Sequence, residues 1–146
     1  MDHNVAANPI SAPAVLDNEY ATLRYYPGSK IVHHTFHQPT SGQPFREVVT
    51  TGVALLRAHK AAKWLSDDRH NLSLTPEDAE WARVNWFPCA LEAGWKYWAL
   101  VVPADFKARL NLGELVDEFS LQRLSIMVFT TPEEGLIWLS SVGGAG

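Results

Sequence analysis

The sequence has one cysteine, Cys89, which excludes an intrachain disulfide and any multi-cysteine zinc site. It has no excess of basic charge. Twelve Lys and Arg against sixteen Asp and Glu leave a net charge of −4, the reverse of the basic face that nucleic-acid modules present. It also lacks a long hydrophobic run: the most apolar stretch, residues 97–104, falls far short of the roughly 20 residues that cross a bilayer. Gly-x-Ser-x-Gly, Gly-x-x-x-x-Gly-Lys and Gly-x-Gly-x-x-Gly are all missing, which removes the easiest enzyme classes to read from a sequence. Residues 1–18 have neither the basic start nor the apolar stretch of a signal peptide, so a cytoplasmic protein is expected.

What remains is a chain of 146 residues, 47% hydrophobic and 19% charged, long enough to bury a core without staples. Residues 1–18, with Pro9 and Pro13, read as a flexible leader, residues 19–140 as one domain and residues 141–146 as a frayed tail. Residues 20–26 and 30–37 are rich in strand formers and are separated by Pro27-Gly28-Ser29, a turn too short for a parallel crossover. From Gln43 to Lys60 the period becomes helical, with Phe45, Val48, Val49, Gly52, Leu55 and Leu56 on one face. Residues 61–66 read as a buried strand. Thr75-Pro76-Glu77-Asp78 is a helix start, with a capping hydroxyl, a first-turn proline and acids at the positive end of the dipole. That helix is expected to run to about Ala90, bent or ended by Pro88. Strands over 95–102 and 125–129 follow, with helical pieces over 104–110, 111–119 and 131–140. The order β-β-α-β-α-β-α-β-α predicts an α/β fold: a mixed, mostly parallel central sheet of about five strands with helices on its faces.

This order resembles the STAS (SpoIIAA-like) domain, and more closely the small bacterial proteins grouped as STAS/SEC14-like. The resemblance covers residues 19–140 and rests on Tyr20 to Leu23, Leu55-Leu56, Lys63-Trp64-Leu65-Ser66-Asp67, and Thr75-Pro76-Glu77-Asp78 with Trp81. It implies a bacterial binding or protein-interaction module with a regulatory role. In signalling members of that family a strand ends in an acid, and a phosphorylatable serine opens the next helix within an Asp-Ser-Ser-Gly-like motif. Here Leu65-Ser66-Asp67 ends the strand and Ser73-Leu74-Thr75-Pro76 opens the helix, without the Ser-Ser-Gly. A phospho-regulated antagonist would use Ser66, Ser73 or Thr75 as acceptor. The SEC14-like likeness implies an apolar small-molecule ligand.

The residues themselves point to two places. Ligands gather beyond the carboxyl ends of parallel strands, and there the densest polar cluster is Asp67-Asp68-Arg69-His70. It offers acid, base and anion-binding groups, and read as an enzyme of small substrates the chain would use His37, Asp67 or His70. Read structurally, the cluster is a solvated loop with an Asp–Arg pair. The second place is aromatic. Six tryptophans are many for a domain of this size. Regular helical spacing turns Trp86 about 140° from Trp81, away from the core face that Trp81 shares with Val84, Pro88 and Leu91. Trp86 and Phe87 are therefore the candidates for a ligand pocket, a protein interface or a homodimer contact. Trp95 and Trp98 should face opposite sides of one strand, and Cys89 reads as a small buried hydrophobe. No metal or cofactor is called for: His33 and His37 share a strand face but stand about 13 Å apart, too far to bind one ion.

Overall fold

The computed structural model describes residues 13–143. Its centre is a six-stranded sheet whose spatial order is its chain order: β1 (Ala14–Asp17), β2 (Ala21–Tyr26), β3 (Ile31–Phe36), β4 (Lys63–Asp67), β5 (Tyr97–Val101) and β6 (Ser125–Phe129). The first two pairings are antiparallel, as the short turn after Tyr26 requires, and β3 to β6 are parallel. The α/β class with a mostly parallel sheet is therefore as expected, with one strand more.

The additional strand is β1, which lies inside the segment read as a leader. Only Leu16 of its four residues is even half-buried, so it carries no alternating apolar signal. It is an edge strand, held by its backbone ladder to β2 and by the Thr22 hydroxyl donating to Asp17 Oδ1 at 2.9 Å. The leader's first twelve residues and residues 144–146 of the expected tail lie outside the described residues.

Parallel strands added one after another by right-handed crossovers put every connecting helix on the same face. Those helices are α1 (Gln43–His59), α2 (Pro76–Trp81), α3 (Phe87–Glu92), α4 (Ala104–Arg109) and α5 (Leu112–Ser120). Under them Leu23, Val32, Trp64, Leu56, Val53, Ala90, Trp95 and Leu124 form the larger core. The last helix, α6 (Pro132–Ser141), returns across the other face, where Leu136 and Leu139 pack on Leu65, Ala99 and Val101. Alternation along β4 divides the two layers: Trp64 and Ser66 face the crossover helices, Lys63, Leu65 and Asp67 face α6.

The helix around Pro88 departs from the expected regular one. Proline has no N–H to give the carbonyl of Val84, and its ring crowds that carbonyl. The chain opens into a π-helical turn over Ala82–Trp86 between α2 and α3. A turn closed i to i+5 brings residues five apart towards the same side, so Trp86 returns to the core beside Trp81 instead of turning away. Val84 becomes half-exposed, at 50%, and Cys89 is exposed, correcting the buried positions expected for both.

The expected opposition of Trp95 and Trp98 also fails. The backbone N–H groups of Lys96 and Tyr97 both donate to Ala62 O at 2.9 Å, and this irregularity precedes the start of β5. Strict alternation does not extend back to Trp95, and the two indoles meet at 5.2 Å between centroids.

Helix α1 approaches the sheet most closely at Gly52. A Cβ there would overlap the Trp64 ring at Cη2. Gly52→Ala gains about 1 kcal/mol of helix propensity but overpacks the core, so a net loss of about 1–3 kcal/mol is expected by urea denaturation. In a Trp64→Phe background, which lacks the colliding carbons, that loss should largely vanish. Equal losses in both backgrounds would show that Trp64 is not the obstacle.

Candidate functional site

Two constellations occupy the places that the sequence marked, and they are adjacent. The first is aromatic. Trp64, Trp86 and Trp95 form a triangle with centroid separations of 5.5, 5.6 and 5.5 Å. Phe87 joins it at 5.9 Å from Trp95, and Phe119 closes the far side at 5.9 Å from Phe87 and 5.1 Å from Trp98. The indole N–H groups are satisfied: Trp86 Nε1 donates to Val49 O at 2.8 Å, Trp95 Nε1 to Tyr97 O at 3.1 Å and Trp98 Nε1 to Ser66 Oγ at 3.0 Å. Trp64 and Trp95 are sealed, whereas Trp86, Phe87 and Phe119 are half-buried and line a groove of about 330 Å³ between the π-turn and α5. Ala82 completes its apolar floor, and Arg83, Glu118 and Gln122 give it a polar rim. Phe119 is the groove residue that the sequence reading missed; its signal was the amphipathic spacing of α5.

The second constellation lies where β3 and β4 end. Asp67 is buried and receives Arg69 in a two-pronged pair, Nε to Oδ1 at 2.9 Å and Nη2 to Oδ2 at 2.8 Å. Asp68 bonds His34 Nε2 through Oδ1 at 2.8 Å, and Trp64 Nε1 donates to His34 Nδ1 at 3.0 Å. The indole can only donate, so Nδ1 must accept and Nε2 carries the proton donated to Asp68. His34 was not among the residues singled out, yet it ties the acidic loop to the aromatic cluster. Asn71 Oδ1 accepts from Thr40 N at 3.0 Å, pinning the loop after Asp68 to the loop before α1.

Asp78 anchors the neighbouring helix start. Burial alone would raise its carboxyl pKa. The Gly42 N–H at 2.8 Å, Arg46 Nε at 3.1 Å and the Thr75 hydroxyl outweigh burial and hold it below its usual 3.8. Thr75 accepts from Asp78 N at 3.1 Å, as the expected cap.

On the opposite face, Tyr26 OH meets His33 Nδ1 at 2.6 Å, and His33 Nε2 meets the Thr35 hydroxyl at 3.2 Å. Burial pushes His33 down to about 4 and Tyr26 up to about 12. At neutral pH an uncharged imidazole thus faces a protonated phenol, both locked in place.

Of the residues singled out for acid–base chemistry, Asp67 is saturated by Arg69, His37 Nε2 shares a 2.8 Å bond with the Thr22 hydroxyl, and His70 is exposed. Among the described residues no hydrogen bond or ion pair joins the three to one another. Of the phosphorylation candidates, Ser66 is buried with its oxygen accepting from Trp98, Thr75 is engaged as a cap, and Ser73 is exposed in the loop before α2. Among the described residues no group of three or more His, Cys, Asp or Glu is placed to hold a metal ion, and no helix is long and apolar enough to cross a membrane. No protein-family model, curated protein or solved structure matches the chain.

Proposed function

We propose that this chain is a STAS-like module that acts by binding rather than by catalysis, taking an apolar side chain of a protein partner or an apolar small molecule at Trp86 and Phe87. The observation that carries the reading is the groove of about 330 Å³, floored by half-buried Trp86, Phe87 and Phe119 and rimmed by Arg83, Glu118 and Gln122. That size lies at the lower end of small-molecule sites, which range over about 300–1,000 Å³, and an apolar floor with a few polar rim groups is their usual chemistry. A further support is the engagement of the nearby acids. The carboxylates of Asp67, Asp68 and Asp78 are each held by a hydrogen-bond partner, which suits a rigid scaffold better than a proton-transfer site. The alternation of strands and helices on which the STAS likeness rests is the element order that forms after β2. The bacterial setting rests on that likeness, the cytoplasmic one on the signal-free reading of residues 1–18, and a second copy of the chain is one candidate partner.

An anilinonaphthalene fluorophore is expected to bind the groove and quench tryptophan emission. Ala82→Glu puts a charge on the groove floor without removing a packed ring, and should weaken that binding about tenfold, the effect of ~1.4 kcal/mol. Sedimentation of the same two proteins tests self-association through the groove. Fluorophore affinity unchanged by Ala82→Glu would remove the groove from the function.

A further inference from the structure

The chain contains five lysines, and four of them, Lys30, Lys60, Lys63 and Lys96, line one cavity at the end of the sheet remote from the acidic loop. Their convergence follows from topology. Lys30 immediately precedes β3, Lys63 is the first residue of β4 with Lys60 three residues before it, and Lys96 immediately precedes β5. These three strands are neighbours and run in the same direction, so their starts come together. Ser29, Ala62, Tyr97 and Gly143 complete the wall of a space of about 160 Å³.

We propose that this cavity is an anion site for a phosphate monoester group.

Three observations support it. None of the four ammonium groups forms an ion pair with a carboxylate among the described residues. No acid among the described residues lines the cavity. And Lys63 is 8% exposed, with no hydrogen-bond partner for its amine among the described residues, although these contain no sealed and unbonded side-chain nitrogen. Its amine therefore opens into the cavity it lines. Burial lowers the Lys63 pKa, and among the described residues no carboxylate offsets it, so an anion in the cavity would stabilise its charged form. The C-terminal end of α1 supplies only partial charge, and its Leu56 and Arg57 carbonyls already accept from the backbone N–H groups of Ala61 and Lys60.

Size and charge select the ligand class. The cavity is about half the smallest usual small-molecule site, so it takes a headgroup and leaves the rest of the ligand outside. Several ammonium groups around a small space favour a compact dianion over a single carboxylate, and lysine serves phosphate as a point charge. A net charge of −4 repels anions from the molecule as a whole, so binding depends on this local concentration of cations.

The test is calorimetric titration of the full chain with inorganic phosphate and with glycerol 3-phosphate, at ionic strength held constant with sodium chloride. Lys63→Met keeps the packed stem and removes the charge, and should weaken both about tenfold or more. Should that variant fail to fold, the double variant of exposed residues, Lys60→Gln with Lys96→Gln, is expected to weaken both by a similar factor. Lys107→Gln, the one lysine outside the cavity, should change neither. Co-sedimentation with phosphatidic acid vesicles separates the sources: capture lost in the same variants identifies a lipid headgroup, and its absence beside glycerol 3-phosphate binding identifies a soluble ester. Phosphate affinity equal in wild type and the lysine variants, or no preference for phosphate over chloride, overturns the proposal.

Discussion

Trp64→Ala is expected to remove about 3–5 kcal/mol of stability, about a fifth or more of the roughly 5–15 kcal/mol that holds a domain of this kind together. Trp64 is the largest wholly buried side chain, and the sheet, α1 and the Trp86–Trp95 pair all meet on its ring. Truncation leaves a cavity that α1 cannot close, because Gly52 offers no side chain to fill it. It also strands His34 Nδ1, whose partner was the indole N–H at 3.0 Å. Trp64→Phe is the milder change: one aromatic ring is kept while the donor and the ring carbons against Gly52 are lost, and about 1–3 kcal/mol should follow from the unsatisfied acceptor and smaller ring together. Urea midpoints with an unchanged m-value measure both. A loss below about 1 kcal/mol for Trp64→Ala would mean that the aromatic cluster is not the core's centre.

The same residue shows what the sequence makes legible. Residues 61–66 read as a buried strand, and the strand that forms two residues later, Lys63–Asp67, is buried at all five residues because both of its faces are covered. The strand and helix order from β2 onward, the short turn after Tyr26 and the Thr75 cap follow from local chemistry and stand in the structure. Missed features depend on what a window of residues cannot contain. The position of Trp86 depends on a proline two residues later that opens a π-turn, so a fixed period of 3.6 misplaces it. β1 owes its existence to the β2 ladder rather than to its own pattern. The Asp67–His70 loop was legible as an Asp–Arg pair, whereas its tie to His34 crosses 34 positions of sequence and became visible only in three dimensions. The lysines were silent for the same reason: each is an ordinary residue beside a strand start, and only the parallel order gathers them.

Acid should destabilise the protein in two separable stages, and His33 sets the first. Burial, the largest influence, lowers its pKa from 6.5 to about 4; His34, Arg24 and Arg69 act in the same direction, against Asp67. The unfolded chain therefore takes up a proton first as pH falls, and unfolding is favoured wherever it binds the additional proton. The His33 contribution is complete above about pH 7, declines from 6.5, and is spent near 4, amounting to about 3 kcal/mol. Asp78 acts lower: its carboxyl is held below 3.8, so its contribution is present above 3.8 and fades only as pH falls beneath that value. Denaturation midpoints should thus be flat above neutrality and drop between pH 6.5 and 4. His33→Gln, which retains a polar group beside the Tyr26 hydroxyl without titrating, should cost stability at pH 7 yet show little further loss down to pH 4.5. His70→Ala, on the exposed loop, should keep the wild-type slope. A wild-type protein equally stable at pH 7 and 4.5, or a His33→Gln variant with an undiminished slope, would place the acid-sensitive group elsewhere. His33 bonds Tyr26 and Thr35 on the face opposite the aromatic groove, so its protonation acts away from that groove. Ligand binding at the groove and acid sensitivity should therefore respond to different substitutions.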